Sequence, residues 1–143
     1  MTEINHPNPA RDFWEHIRDT YSWNEKVFIG AAHDDPKEQY FVFTFAPSNS
    51  NPRWLREGGD LQILCTAAKS GSAVYHDADR ELWKLKDWIE GIFRFESDTA
   101  LYIRAVHLNG PRFLGYDEDS RHKFSMNFEI TYEPFEGTNR DSL

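Results

Sequence analysis

His122-Lys123-Phe124-Ser125-Met126-Asn127-Phe128-Glu129-Ile130-Thr131-Tyr132-Glu133 carries the cleanest alternation in the chain. Phe124, Met126, Phe128, Ile130 and Tyr132 fall on one side, and Lys123, Ser125, Asn127, Glu129 and Thr131 on the other. Successive side chains of a strand point to opposite faces. The segment therefore predicts a strand with one face on a core, and that burial fixes its register. Upstream lie an acidic turn, Asp117-Glu118-Asp119-Ser120, a strand over Arg112 to Tyr116, a turn at Asn109-Gly110-Pro111 and a strand over Leu101 to Leu108. Asn-Gly followed by Pro is a strong turn signal. Downstream, the tail 134–143 is polar and predicted to fray.

Further upstream the period changes from two to that of a helix. Val74, Ala78, Leu82, Leu85, Ile89 and Ile92 project within about 80° of one another at 100° per residue, which predicts a long helix covering a sheet. Gly91 stands where a left-handed cap is expected. Trp83 lies roughly opposite the apolar stripe, among Asp79, Arg80, Lys86 and Asp87. It is expected either at a contact surface or under a neighbouring loop.

Toward the N-terminus, Asn8-Pro9 offers a cap and a first-turn proline for a short amphipathic helix over roughly 9–22, with Ala10, Phe13, Trp14, Ile17 and Tyr21 on one side. Strands are predicted over 26–33, 39–46 and 60–69, the first ended by Asp34-Asp35-Pro36. Residues 47–59 read as a long connection, closed by Gly58-Gly59. Loops of that length are uncommon and tend to be functional or mobile. Within it Arg53-Trp54-Leu55-Arg56 forms an apolar and basic island that either tucks back onto the body or meets a partner. The order predicts a single α+β domain over 1–143. Its mixed, largely antiparallel sheet has about five or six strands, with an N-terminal helix and one long helix packed on it.

The 143 residues carry a net charge of −8, and their 22 aromatic residues slightly outnumber the 21 Leu, Ile and Val. The core is expected to be built largely from rings. Excess carboxylate argues against a nucleic-acid-gripping module, since that affinity comes from Lys and Arg releasing counterions. One cysteine, Cys65, allows no intrachain disulfide and points to a reducing compartment. No apolar run is long enough for a membrane span, and no secretion signal is visible at the N-terminus.

Chemistry is hard to place. His6, His16, His33, His76, His107 and His122 show no metal-type pairing, and Cys65 has no partner nearby. The acidic turn 117–120 fails the calcium-loop template, whose sixth position wants glycine where this chain has His122. There is no GxSxG, and Gly58-Gly59 lacks the phosphate-loop spacing. His76 and Asp79 share a helical face but read as a solvated pair. No catalytic residue, metal site or cofactor is expected.

The run Gly110-Pro111-Arg112-Phe113-Leu114-Gly115-Tyr116-Asp117-Glu118-Asp119-Ser120-Arg121, continuing through Tyr132, resembles the C-terminal hairpin of tail-terminator and minor tail proteins of long-tailed phages. The shared features are a proline and small apolar strand, an acidic turn with Asp-Glu, an Arg, and a closing strand of the form Asn-Phe-x-Ile-x-Tyr. The upstream order also fits: an N-terminal helix, a hairpin, a variable loop, then a strand leading into a long helix. The resemblance implies a ring, usually of six subunits, that caps the tail tube, stops its polymerisation and docks the head connector or head completion protein. It also implies DNA passing through the lumen, a place at the head-proximal end of the virion tail, and host cytoplasm during assembly. It brings no catalytic residues. The expected contact residues are Arg53, Trp54, Leu55 and Arg56 in the loop, Arg80 and Trp83 on the helix, and Asp117, Glu118 and Asp119 in the turn. The alternative is a small-molecule binder or small enzyme whose curved sheet and helix enclose an aromatic pocket lined by Phe41, Phe43, Phe45, Trp88 and Tyr102.

Overall fold

The computed structural model describes residues 6–48, 56–71, 73–92 and 94–135. Helix α1 (Pro9–Tyr21) is followed by β1 (Lys26–Ile29), β2 (Tyr40–Pro47), β3 (Glu57–Thr66), helix α2 (Val74–Glu90), β4 (Phe95–Glu96), β5 (Ala100–Tyr116) and β6 (His122–Pro134). The six strands form one sheet in the order β1-β2-β3-β6-β5-β4, and only β1 and β2 run parallel. The fold is α+β, with both helices on one face of the sheet.

That face follows the alternation of β6. Phe124, Met126, Phe128 and Ile130 pair with Cys65, Ile63, Leu61 and Gly59 of β3, and Phe41, Phe43 and Phe45 of β2 continue the layer. Over it lie Ala10, Phe13 and Ile17 of α1 and Ala78, Leu82, Leu85 and Ile89 of α2, all buried in one cluster. Rings bind the helices to the sheet and to each other. Phe13 sits edge-on to Phe95 and Tyr102, at 5.0 and 5.2 Å, and Tyr21 stacks on Trp88 at 4.4 Å. Asn8 caps α1 by accepting the Arg11 N–H at 3.2 Å, and Pro9 opens its first turn.

Three sequence readings are corrected. The first concerns the last third of the chain, where two strands and a turn were expected over 101–116 and β5 instead runs unbroken. Asn109-Gly110-Pro111 makes a bulge: between Asn109↔Asn127 and Arg112↔Ser125, β5 has two residues where β6 has one. Gly110 has φ +90°, and a Cβ there would strike the Ser125 carbonyl, so the turn-type residues serve to step the register. Four such shifts let the 17 residues of β5 run beside the 13 of β6, bending the sheet.

The second correction concerns β1, which was expected to reach residue 33 and form a hairpin with β2. It ends at Ile29, Gly30 turns the chain at φ +88°, and residues 30–39 carry it back so that Lys26–Ile29 pair in parallel with Tyr40–Phe43. The return loop is pinned from outside. Arg121, 1% exposed, donates from Nη1 to the Pro36 carbonyl at 2.8 Å and to Asp35 at 2.9 Å. Its Nη2 reaches the Glu38 carbonyl at 3.0 Å and its Nε the Ala67 carbonyl at 2.7 Å. The guanidinium also lies over the Tyr40 ring, 5.2 Å from the centroid.

The third correction concerns boundaries. β3 spans 57–66 rather than 60–69, and Pro47 pairs with Gly59, so the connection shrinks from both ends of 47–59. A Cβ on Gly59 would run into the Ala46 carbonyl and the Phe45 ring, which is why glycine stands there. Gly91 is right-handed at φ −78°, because the chain tightens through an Ile92 N–H to Ile89 carbonyl bond of 3.1 Å before entering β4. β4 itself, two residues long, carries too little pattern to be seen in sequence.

Two consequences are measurable. Arg121→Met strands three carbonyls and leaves Asp35 to Lys69 alone, and should cost about 3–5 kcal/mol in urea unfolding. Burial, reinforced by a 2.5 Å hydrogen bond to Asp12, pushes the Tyr102 hydroxyl above the ordinary tyrosine range. Burial raises Tyr132 and the Cys65 thiol as well. Each group holds its proton more tightly folded than unfolded, so its contribution is intact below the unfolded pKa values of 9.0 and 10.0 and is lost above them. Denaturant midpoints should therefore hold steady between pH 7 and 8.5 and fall steeply above about pH 10.

Candidate functional site

Helix α2 presents one side to the core and another to solvent. Tyr75, Trp83, Lys86 and Glu90 project within about 80° of one another at 100° per residue, beside the buried stripe. Trp83 is 47% exposed, with the Lys86 ammonium 5.5 Å from its ring. No neighbouring segment among the described residues seals it, and most of the 47–59 loop lies outside them. Arg80 is exposed one turn earlier and pairs with Asp77 at 2.9 Å.

The N-terminal end of α2 carries a ring cluster. Tyr75 lies 5.5 Å from Phe113, 5.4 Å from His122 and 5.0 Å from Phe124, and Tyr116 packs on His122 at 4.9 Å. The acidic turn follows directly. Asp117 turns inward, its Oδ1 accepting the Asp119 and Arg121 N–H groups at 2.8 and 2.9 Å. Glu118 is exposed, and Asp119 stands 4.0 Å from Lys69. Lys69 in turn holds Asp35 at 3.0 Å and keeps its carboxyl below the usual range.

The remaining expected contacts lie elsewhere. Arg56 is exposed and pairs with Glu133 at 3.3 Å, at the end of β6 away from the acidic turn. At ~3.3 Å per residue the two ends of β6 are roughly 35–40 Å apart, so the expected contact residues form two regions and not one. Arg53, Trp54 and Leu55 lie outside the described residues.

No arrangement among the described residues suits catalysis. His76 is exposed and shares no hydrogen bond with Asp79. The Cys65 thiol is buried and pushed toward its neutral form, the wrong state for a nucleophile. No group of three or more His, Cys, Asp or Glu is gathered to hold a metal among the described residues. A cleft of about 590 Å³ between α1 and the β4–β5 turn is lined by Asp12, Glu15, Asp19 and Asp98. Its His16 stacks flat on Phe95 at 4.2 Å, and burial lowers its pKa. The aromatic pocket is not formed as expected: Phe41, Phe43 and Tyr102 are fully buried, and Phe45 and Trp88 pack against the same cluster. No helix among the described residues is long and apolar enough to cross a membrane.

Arg121 and Tyr75 escaped sequence reasoning. Arg121 follows four charged or polar turn residues and entered only as the arginine of the hairpin motif, since nothing local signals the distant carbonyls it meets. Tyr75 stands beside the helical stripe, and only the fold brings Phe113 and His122 to it.

The two sides of α2 predict opposite outcomes. Trp83→Ala should leave the unfolding midpoint within about 0.5 kcal/mol of the parent. Leu85→Ala, a fully buried truncation, should cost about 2–5 kcal/mol in the same assay.

A family model described as "Bacteriophage tail terminator protein" matches residues 16–134, a stretch that contains all six strands, α2 and the end of α1. No curated protein matches the chain.

Proposed function

The chain belongs to the bacteriophage tail terminator family, and we propose that it caps the head-proximal end of the tail tube as a ring of six copies. The family is one of structural proteins of the phage tail, not of enzymes, and its members meet other tail or head proteins. In our reading the ring stops tube polymerisation and docks the head connector or head completion protein, with DNA passing through its lumen after assembly in the host cytoplasm.

The observation that carries this reading is the family match across the whole sheet. Geometry adds support. A ring needs two different patches on each subunit. The α2 side, with Arg80, Trp83 and the adjoining turn Asp117-Glu118-Asp119, serves as one, and the loop Arg53-Trp54-Leu55-Arg56 offers another contact, with a neighbouring copy or another tail protein. Trp and Arg are favoured anchors at such contacts. The net charge of −8 per subunit suits a lumen past which DNA slides, because like charge opposes sticking.

Electron microscopy of purified protein mixed with growing tail tubes tests the reading. Tubes should stop elongating and carry extra density at one end, and Trp83→Ala should reduce the capped fraction several-fold without unfolding the chain. Tubes that stay bare and keep growing at excess protein would refute it.

A further inference from the structure

The sheet ends on two strands whose outer edges lack a partner strand among the described residues. One is β1; the other is most of β5, because the two-residue β4 meets only Leu101 and Tyr102. Residues 103–116 thus have no partner strand on their outer side among the described residues, although the Gly110 carbonyl meets the His107 ring at 2.6 Å and Pro111 has no N–H to offer. Proteins usually blunt such an edge, since it templates pairing with another chain. Bulges, Pro111 and two arginines blunt this one only in part, for Leu108, Phe113, Leu114 and Tyr116 are four of the eight large apolar side chains exposed among the described residues. The exposed side of α2 runs beside it. Tyr75 touches Phe113 near the start of the helix, and Glu90 reaches to 3.9 Å from His107 at its end, so Trp83 stands along the same edge.

Charge indicates what covers it. Residues 103–116 contain Arg104 and Arg112 and no carboxylate, in a chain of net charge −8. Both arginines are exposed and make no ion pair among the described residues. The opposite margin leans the other way: Lys26 of β1 and Lys37 stand against Asp34, Asp35 and Glu38 of loop 30–39, three carboxylates to two ammonium groups. Arg121 and Lys69 occupy Asp35, but Asp34 and Glu38 are exposed and make no ion pair among the described residues.

Two copies joined β5 to β5 would set like charges together, since an antiparallel pair centred on Leu108 places Arg104 opposite Arg112. Head-to-tail contact has no such conflict. It sets the basic edge of one copy on the acidic margin of the next and leaves the same two faces open for further copies, the arrangement that closes into a ring. We propose that the free β5 edge of one copy docks on the β1 and 30–39 margin of a second copy, with Arg104 and Arg112 facing Asp34 and Glu38. Ring closure rests on the terminator reading; the contact itself does not.

Two full-length charge-reversed chains test it, Arg104→Glu with Arg112→Glu and Asp34→Lys with Glu38→Lys, all at exposed positions. In sedimentation velocity the parent should self-associate as concentration rises. Each reversed chain alone should need roughly tenfold more protein to associate, because both of its faces now carry the same sign. An equimolar mixture of the two should return to within about threefold of the parent, each reversed face meeting a reversed partner. A parent that stays monomeric throughout, an acidic-margin variant that associates like the parent, or a mixture no better than its components would each overturn the proposal. The two readings fail separately. Reversed chains that cap tail tubes as well as the parent would sink the docking and leave the terminator role, whereas association without capping would do the opposite.

Discussion

A buried guanidinium holds the least regular part of this fold in place. Arg121 is the only charged side chain buried among the described residues, and a charge taken out of water is tolerated only where partners replace the lost hydration. Here three main-chain carbonyls, one carboxylate and a tyrosine face supply them. The carbonyls belong to the 30–39 return loop and to the exit of β3, so one side chain fixes where the chain re-enters the sheet. The parallel pairing of β1 with β2 follows. Parallel strands ordinarily need a crossover of a dozen residues or more, often a helix. Ten residues suffice here because the loop is tied down at Pro36 and Glu38 from below and by the Lys69 N–H to Lys37 carbonyl bond of 2.9 Å.

Most of the sheet and both helices were legible in the sequence, because burial imposes a period that a reader can count. The alternation of 122–133 became β6 with its predicted inner face, and the stripe through Ala78, Leu82, Leu85 and Ile89 became the buried side of α2. Asn8-Pro9 capped α1 as its chemistry requires. The failures share one cause, which is that the deciding partner lies far off in the chain. Gly110 and Pro111 have the composition of a turn, yet the cross-strand contact with Ser125 and Met126 makes them a bulge. Asp34-Asp35-Pro36 has the composition of a hairpin turn, yet Arg121, 85 residues away from Pro36, decides where the loop goes.

The exposed surfaces were legible only in part. The exposure of Trp83 was expected because a tryptophan opposite an apolar stripe breaks the helical pattern, and its side chain does face away from the core. The exposed edge of β5 had no comparable signal. Its residues read as two ordinary strands joined by a turn, and whether a strand lies at a margin is a property of sheet order, which no local pattern contains.

An exposed apolar edge is a hazard as well as a tool, and the irregularity of β5 addresses both sides of that. A flat, regular edge accepts almost any strand and risks open-ended aggregation. Four register shifts in 17 residues deny a foreign strand a continuous ladder, since each bulge bends the chain and interrupts the spacing of its free N–H and C=O groups. Arg104 and Arg112 add a second filter by repelling a copy of the same edge while attracting carboxylates. Shape and sign together restrict the partners that can cover these residues. Without that restriction an edge able to pair with copies of itself would extend indefinitely into a polymer of its own.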